Sequence, residues 1–354
     1  MKINFKKNIG FAACIIFIAC SGQANSHNEP NTSNIEIIEQ TFTEPLDNNT
    51  DDPANIYLPM ERRFIIASET AEPGRPIIIA YHDDFTGEED VIRVSLINSA
   101  GRRLSGSTFY ILPTDEYHSI VNGIIKVAVL GIPNTALPGA ALIRIESDGV
   151  IIEELPVTIE SRDFFSQTLT LSAQNTEIRT APNPQRNLES EQLWAILART
   201  GDVIYDTGPF IVPVNSSRIT SNYGDRRVYI YHGGGRDTTI HAGIDYGVPT
   251  GTPVLAAGRA MVVLAQYRIV TGYTVVLEHM PGLYSLYYHM DSLYVTAGEI
   301  VEQLALLGFS GSTGLSTGPH LHWELRVSTE YIDPLSFISM PILDKNLIIN
   351  KLLE

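Results

Sequence analysis

The chain opens on a basic stretch followed by an apolar run. Lys2, Lys6 and Lys7 precede Ile9 to Ala19, a run without acidic residues. It is too short to cross a bilayer and has the pattern of a signal-peptide core, which assigns residues 1–19 to a leader. Polar residues without periodicity follow from Ser21 to about Asn55, rich in Asn, Thr, Glu, Asp and Pro. A stretch of this kind cannot bury enough apolar surface to fold, and it predicts a flexible tether over 20–55.

From Ile56 to Ile159 short β-branched runs alternate with turn residues. Pro76 to Tyr81, Val91 to Leu96 and Ile125 to Leu130 read as strands, and Asp148-Gly149 between two further runs is a hairpin signal. About seven short strands over a hundred residues predict an immunoglobulin-like β-sandwich over 56–160. The spacing then turns helical. Asn187 reads as the N-cap, Glu189 and Glu191 as first-turn acids, and Gly201 as the stop. Leu193, Trp194, Ile196 and Leu197 form its predicted buried face. With Pro182 and Pro184 marking a joint, 161–212 is a connecting strand and helix segment. Gly-rich strand patterning returns over 213–337, with runs such as Thr274 to Leu277 and Tyr284 to Tyr288, and 338–354 is a tail. The fold class is mainly β.

Composition narrows the function. At 354 residues, 44% of them hydrophobic, the chain fits two or three folded domains and is not wholly disordered. A net charge of −16 argues against nucleic-acid partners. That charge is uneven: residues 213–337 hold seven arginines, no lysine and ten acids, so most of the acidity precedes Pro213. With only Cys14 and Cys20, neither a disulfide scaffold nor a cysteine-rich zinc module can be built. Cys20 closes Phe17-Ile18-Ala19-Cys20, which resembles a bacterial lipobox. That resemblance implies a lipidated Cys20, a membrane anchor, and an exported lipoprotein of the cell envelope on the periplasmic face of the outer or inner membrane.

Five of the nine histidines fall between His241 and His322. In His241-Ala242-Gly243-Ile244-Asp245 the glycine and nearby Pro249 disfavour a helix, and on an extended chain an even separation puts both side chains on one face. The pair offers one imidazole nitrogen and one carboxylate oxygen, a donor set that suits Zn²⁺. His320-Leu321-His322 places two imidazoles on one side of a strand, and Tyr287-Tyr288-His289 ends another. A catalytic zinc takes three protein ligands and keeps one position open, so five candidates leave two residues for catalysis. His232, in a Gly-rich loop, reads as solvent-facing and His279 as structural. Gly314-Leu315-Ser316-Thr317-Gly318 fits a serine-nucleophile turn, but Pro319 and an alternating strand pattern follow where that motif needs a helix.

Residues 218–327 resemble the lysostaphin/LytM family of zinc metallopeptidases, which cut the peptide part of the bacterial cell wall. The matching motifs are Arg218 to Arg227 (RITSNYGDRR), His241 to Asp245, Gly251 to Val254 (GTPV), Leu286 to Met290 (LYYHM), Gly311 to Gly314 (GSTG), and Gly318 to Glu324 (GPHLHWE). They cover about a third of the chain. The resemblance implies zinc on His241, Asp245 and His322, with His289 and His320 flanking the attacking water. It also implies an antiparallel β-sheet with an open groove, of the duplicated-hybrid-motif kind, and peptidoglycan peptides as substrate. Tyr287 has two readings, a substrate-binding or supporting residue that orients a partner or the tetrahedral intermediate, and a core tyrosine. The other reading of the same domain is a catalytically silent wall-binding protein that activates or positions wall-hydrolase or cell-division partners. Tyr273 stands where family members often carry Asn, a change that bears on groove shape and on no ligand.

Overall fold

The computed structural model describes residues 14–19, 70–83, 91–113, 124–199, 201–338 and 340–348. The lipidation candidate Cys20, the tether and the start of the expected sandwich lie outside the described residues. The β-branched runs of 70–159, with Cys14–Ala19, form two sheets. One joins Cys14–Ala19, Pro76–Asp83, Ile124–Gly131 and Tyr110–Ile111. The other joins Thr70–Ala71, Val150–Ile159, Gly139–Ser147, Ile92–Asn98 and Arg103–Thr108. Ile79, Val127 and Val129 from the first sheet share a buried core with Val94, Leu96 and Ile143 from the second, as period-2 alternation requires of strands with one face in the core. Cys14–Ala19, read above as part of a leader, pairs antiparallel with Pro76–Asp83.

The second half is built on a large antiparallel sheet. Its strand order is Ile219–Ser221, Ile244–Tyr246, Leu321–Val327, Leu283–Leu293, Gly272–Met280, Ala260–Arg268 and Ile300–Val301. Pro253–Leu255, Leu306–Ser310 and Glu330–Ile332 join at the sides. Leu321–Val327 and Leu283–Leu293 sit centrally, and Leu321–Val327 is buried along its whole length. Trp323 and Tyr287, partners in register, are fully buried in the core beneath the sheet. A buried aromatic of this size is worth about 3–5 kcal/mol against alanine, so this pair anchors the two strands that carry the histidines.

The connecting segment is more structured than its sequence suggests. Its helix is Pro184–Leu197, capped by Asn183, whose side chain accepts from the Arg186 amide at 3.2 Å. The expected cap at Asn187 is therefore corrected by one turn, because Pro184 occupies the first helical position, where its missing N–H costs nothing. Leu193 and Leu197 are buried, whereas Trp194 is 44% exposed. A second helix, Ala173–Thr180, was hidden by its polar composition and rests on the Ser172 cap. Ser166–Thr170 pairs parallel with Arg226–Ile230, which pairs with Arg236–Ile240 in a separate three-stranded sheet. The sandwich docks through Arg162, which donates to Asp333 at 2.5 Å and to the Pro73 carbonyl at 3.0 Å. The C-terminal stretch is no loose tail as far as it is described: Ile342, Leu343 and Ile348 are buried.

Candidate metal centre

A close backbone approach and a turn between sheets bring the metal-ligand candidates together. Gly243 packs so closely on Leu321–Val327 that a Cβ would lie 2.2 Å from the Trp323 carbonyl oxygen. Only glycine permits this contact, and it sets Asp245 opposite His322 in the strand register. His241 lies just past the end of Arg236–Ile240, and Asp245 lies in Ile244–Tyr246 of the other sheet. Their convergence thus comes from a turn between two sheets, rather than from alternation along one strand as the spacing suggested.

His241 Nε2, Asp245 Oδ1 and His322 Nδ1 meet at one point. The nitrogens are 3.0 Å apart, and the carboxylate oxygen is 3.0 Å from His241 and 2.8 Å from His322. The outer nitrogens are both engaged elsewhere. His241 Nδ1 lies 2.8 Å from the Asn222 carbonyl, and His322 Nε2 lies 3.4 Å from Glu324 Oε2. These acceptors assign the ring protons to the outer positions, which leaves three buried lone pairs aimed at each other. Such a cluster needs a cation. Ligand atoms about 2.0–2.1 Å from a tetrahedral zinc fit this arrangement after slight expansion, so the donor set fits the metal. The surrounding carboxylates favour positive charge at this point, which a proton on His322 supplies when no ion does. Burial opposes charge on His322, yet Asp245 and Glu324 override it and push the imidazole up to about 9. Burial also opposes ionisation of Asp245, but His241 and His322 hold its carboxyl well below the usual range.

His289 and His320 face the same cavity. His289 Nδ1 lies 2.8 Å from the Thr313 carbonyl and His320 Nδ1 lies 2.7 Å from the Gly318 carbonyl, so in the neutral rings each Nε2 is a free acceptor. Burial, then the neighbouring His320 and His322, push His289 down to about 3; burial likewise lowers His320. The two rings are 4.8 Å apart, and His320 Nε2 lies 3.8 Å from Asp245 Oδ1.

Tyr287 does not belong to this group: of its two readings the structure corrects the supporting role and leaves the core tyrosine. It points into the core, where its hydroxyl accepts from the Ala257 amide at 2.9 Å and meets Ser285 Oγ at 3.0 Å. The reason is local. His289 has φ of +60°, which breaks the alternation at the end of Leu283–Leu293. Tyr288 and His289 consequently share the site face, and Tyr287 faces away. Tyr288, not singled out from the sequence, stacks on His322 with ring centroids 5.2 Å apart and planes 3° from parallel. Gly272 supports the break: a Cβ there would meet Thr313 Oγ1 at 2.0 Å, so the loop that holds the Thr313 carbonyl against His289 needs glycine at 272.

Behind His322 runs a chain of contacts that the sequence also left unmarked. Glu324, two residues along the same strand face, bonds His322 and is paired closely with Arg326. Arg326 donates to the Thr329 carbonyl at 2.8 Å and lies 3.3 Å from the Tyr331 ring centroid and 5.6 Å from that of Trp194. A carboxylate behind a ligating imidazole fixes its tautomer and raises its basicity. Glu324→Gln is therefore expected to weaken zinc binding about 10- to 100-fold, measured by competition with a chromophoric chelator. Unchanged affinity would show that Glu324 does not orient the ligand.

The cavity has walls from distant parts of the chain. Gln167, Leu169, Leu171 and Asn175 of the connecting segment face Leu315 to Pro319, and Asn175 donates to the Ser316 carbonyl at 2.8 Å. Arg227 reaches in from Arg226–Ile230 and donates to Asp245 Oδ2 at 2.6 Å. His279 lies away from this cavity, fully buried and bonded to Ser285 Oγ at 2.7 Å. His232 is exposed in the Gly-rich loop, as its sequence context suggested, its amide donating to Thr176. Ser316 leads into strand Leu321–Val327 with no helix after it.

Comparison with known proteins places this arrangement. Residues 239–334 match Peptidase family M23. The DD-carboxypeptidase/endopeptidase Mpg of Neisseria meningitidis serogroup B is 36% identical over 142 residues, which are 40% of this chain and 32% of that protein. The peptidoglycan DD-endopeptidase ShyA of Vibrio cholerae is 38% identical over 116 residues, 32% of this chain and 26% of that one. The chain thus spans about a third of the length of these curated relatives. A solved M23-type protein from Pseudomonas aeruginosa shares the fold over 76% of this chain and 95% of its own, with a TM-score of 0.51 at 21% identity. The matched residues contain His241, Asp245, His289, His320 and His322, and residues 239–334 form a domain of peptidase family M23.

Proposed function

We propose that the chain is a zinc-dependent endopeptidase that hydrolyses peptide cross-links or stem peptides of bacterial peptidoglycan. The observation that carries this reading is the convergence of three buried lone pairs beside two further imidazoles, each presenting a free Nε2 to the same cavity. His241, Asp245 and His322 would hold the ion. Zinc supplies Lewis acidity, which polarises the scissile carbonyl and lowers the pKa of water.

The remaining work belongs to the chain's own side chains. The Nε2 of His289 or His320 takes the proton of the attacking water, and the protonated ring then donates to the oxyanion or to the leaving amine. Carbonyls of Thr313 and Gly318 hold both rings in the accepting tautomer, so no rearrangement is needed before proton transfer. Names of the relatives, which include peptidoglycan DD-endopeptidases, support the substrate class. The leader-like residues 1–19 and Cys20 support export and attachment to an envelope membrane.

Purified protein incubated with isolated cell wall tests the reading. Soluble peptide fragments are expected, lost on treatment with a chelator, restored by zinc, and indifferent to a serine-directed reagent. Failure to bind zinc and to release fragments would point instead to a silent wall-binding role.

A further inference from the structure

Arg227 is the one arginine or lysine among the described residues lining the cavity. Alternation along Arg226–Ile230 aims it inward with Tyr229, while Arg226 turns out to lie 4.4 Å from the Phe164 ring centroid and donates to the Asn134 carbonyl. Strands on both flanks fix the segment, so the guanidinium is carried on a rigid element. Its side chain is only 13% exposed.

The donors of this buried group are under-used. Nη2 donates to Asp245 Oδ2, Nε is buried without an acceptor, and Nη1 has no hydrogen-bond partner among the described residues. A guanidinium has five N–H donors in a planar fork suited to a carboxylate. Asp245 does not satisfy it, because Oδ1 of that carboxylate serves His241 and His322. Nη1 is neither buried nor bonded among the described residues, so in a side chain that lines the cavity it is the donor open to a ligand. The guanidinium bears on Oδ2 of Asp245, across the carboxylate from the Oδ1 that meets the imidazoles, which sets it to one side of the ligand point as a neighbouring peptide residue would be.

We propose that Arg227 binds a free carboxylate on the residue that follows the scissile amide. The site then selects peptides with a carboxylate at that position over neutral glycine-type bridges, in which the same carbonyl is tied into the next amide. This rests on the peptidase reading above and names its substrate class. The carboxylate has two sources: the C-terminus of an uncross-linked stem, or the free α-carboxylate of the amine-side residue in a direct cross-link.

The experiment pairs each peptide with its amidated twin. A terminal stem peptide and a directly cross-linked dimer are each prepared with that carboxylate free or capped as the amide. Zinc-loaded wild-type protein is expected to favour the free acid about 10- to 100-fold in kcat/KM, mostly through KM. In Arg227→Gln the free-to-amide ratio is expected to collapse toward one, with Arg227→Lys between. Preference in the dimer alone assigns the cross-link as the source, and preference in the stem alone assigns the C-terminus. A wild-type ratio near one overturns the proposal. So does a ratio that survives in Arg227→Gln while both rates fall, since that marks Arg227 as a support for Asp245 only. Calorimetric binding of the cleaved free-acid and amide products supplies a readout independent of turnover. Tighter binding of the acid by wild type, lost in Arg227→Gln, is expected even if no peptide is hydrolysed. Absent hydrolysis with that binding preference intact overturns the peptidase reading, whereas equal binding of acid and amide overturns the carboxylate proposal.

Discussion

His289→Ala retains zinc at one equivalent and loses about 10²- to 10⁴-fold in hydrolysis. The magnitude is that of a positioned general acid or base. The expectation follows from where the ring sits. Its Nδ1 is committed to the Thr313 carbonyl and its Nε2 faces the cavity, outside the three-atom cluster of His241, Asp245 and His322. Removing it leaves that cluster and its supporting Glu324 untouched. Metal analysis after gel filtration, alongside peptide release, measures both halves. Loss of zinc in step with activity would make His289 a ligand and overturn its assignment.

His241→Ala has the opposite signature. One of three converging donors disappears, the Asn222 carbonyl loses its imidazole partner, and the remaining pair cannot close a three-ligand site. Zinc content is expected to fall below stoichiometry. Hydrolysis is expected to fall at least about 10³-fold, the scale of losing a Lewis acid worth several kcal/mol. The same assays serve, with circular dichroism to verify that the sheet persists. A variant that binds zinc fully but is inactive would place His241 outside the ligand set.

These two variants separate the ligand role from the catalytic role, a division that the residues alone left open and the family resemblance implied. The ligand and histidine motifs were legible because each keeps its chemistry within a few residues: His241 with Asp245, and His320 with His322. The strand-rich character of both halves was legible from β-branched alternation. What escaped reading depends on backbone breaks and distant pairing. Tyr287 was open between a supporting role and a place in the core; the positive φ of His289 breaks the alternation, leaves Tyr287 in the core and brings up Tyr288 instead. Glu324 follows His322 at a same-face spacing, a signal that was present and unused. Gln167 and Asn175 carried none, since their place in the cavity wall comes from a parallel pairing with Arg226–Ile230 across some sixty residues of chain. The helix cap fell at Asn183, one turn before the expected Asn187, because Pro184 starts a helix as readily as it ends one.

The central claim is that one bound zinc, held by His241, Asp245 and His322, makes this cavity hydrolytic. The most direct measurement is a zinc titration of metal-free protein, with mass spectrometry of a cross-linked peptidoglycan peptide at each step. The account predicts no cleavage without metal, a rise that saturates at one equivalent, and products in which a single amide has gained water. Cleavage by the metal-free protein, or intact peptide at full zinc occupancy, would contradict it.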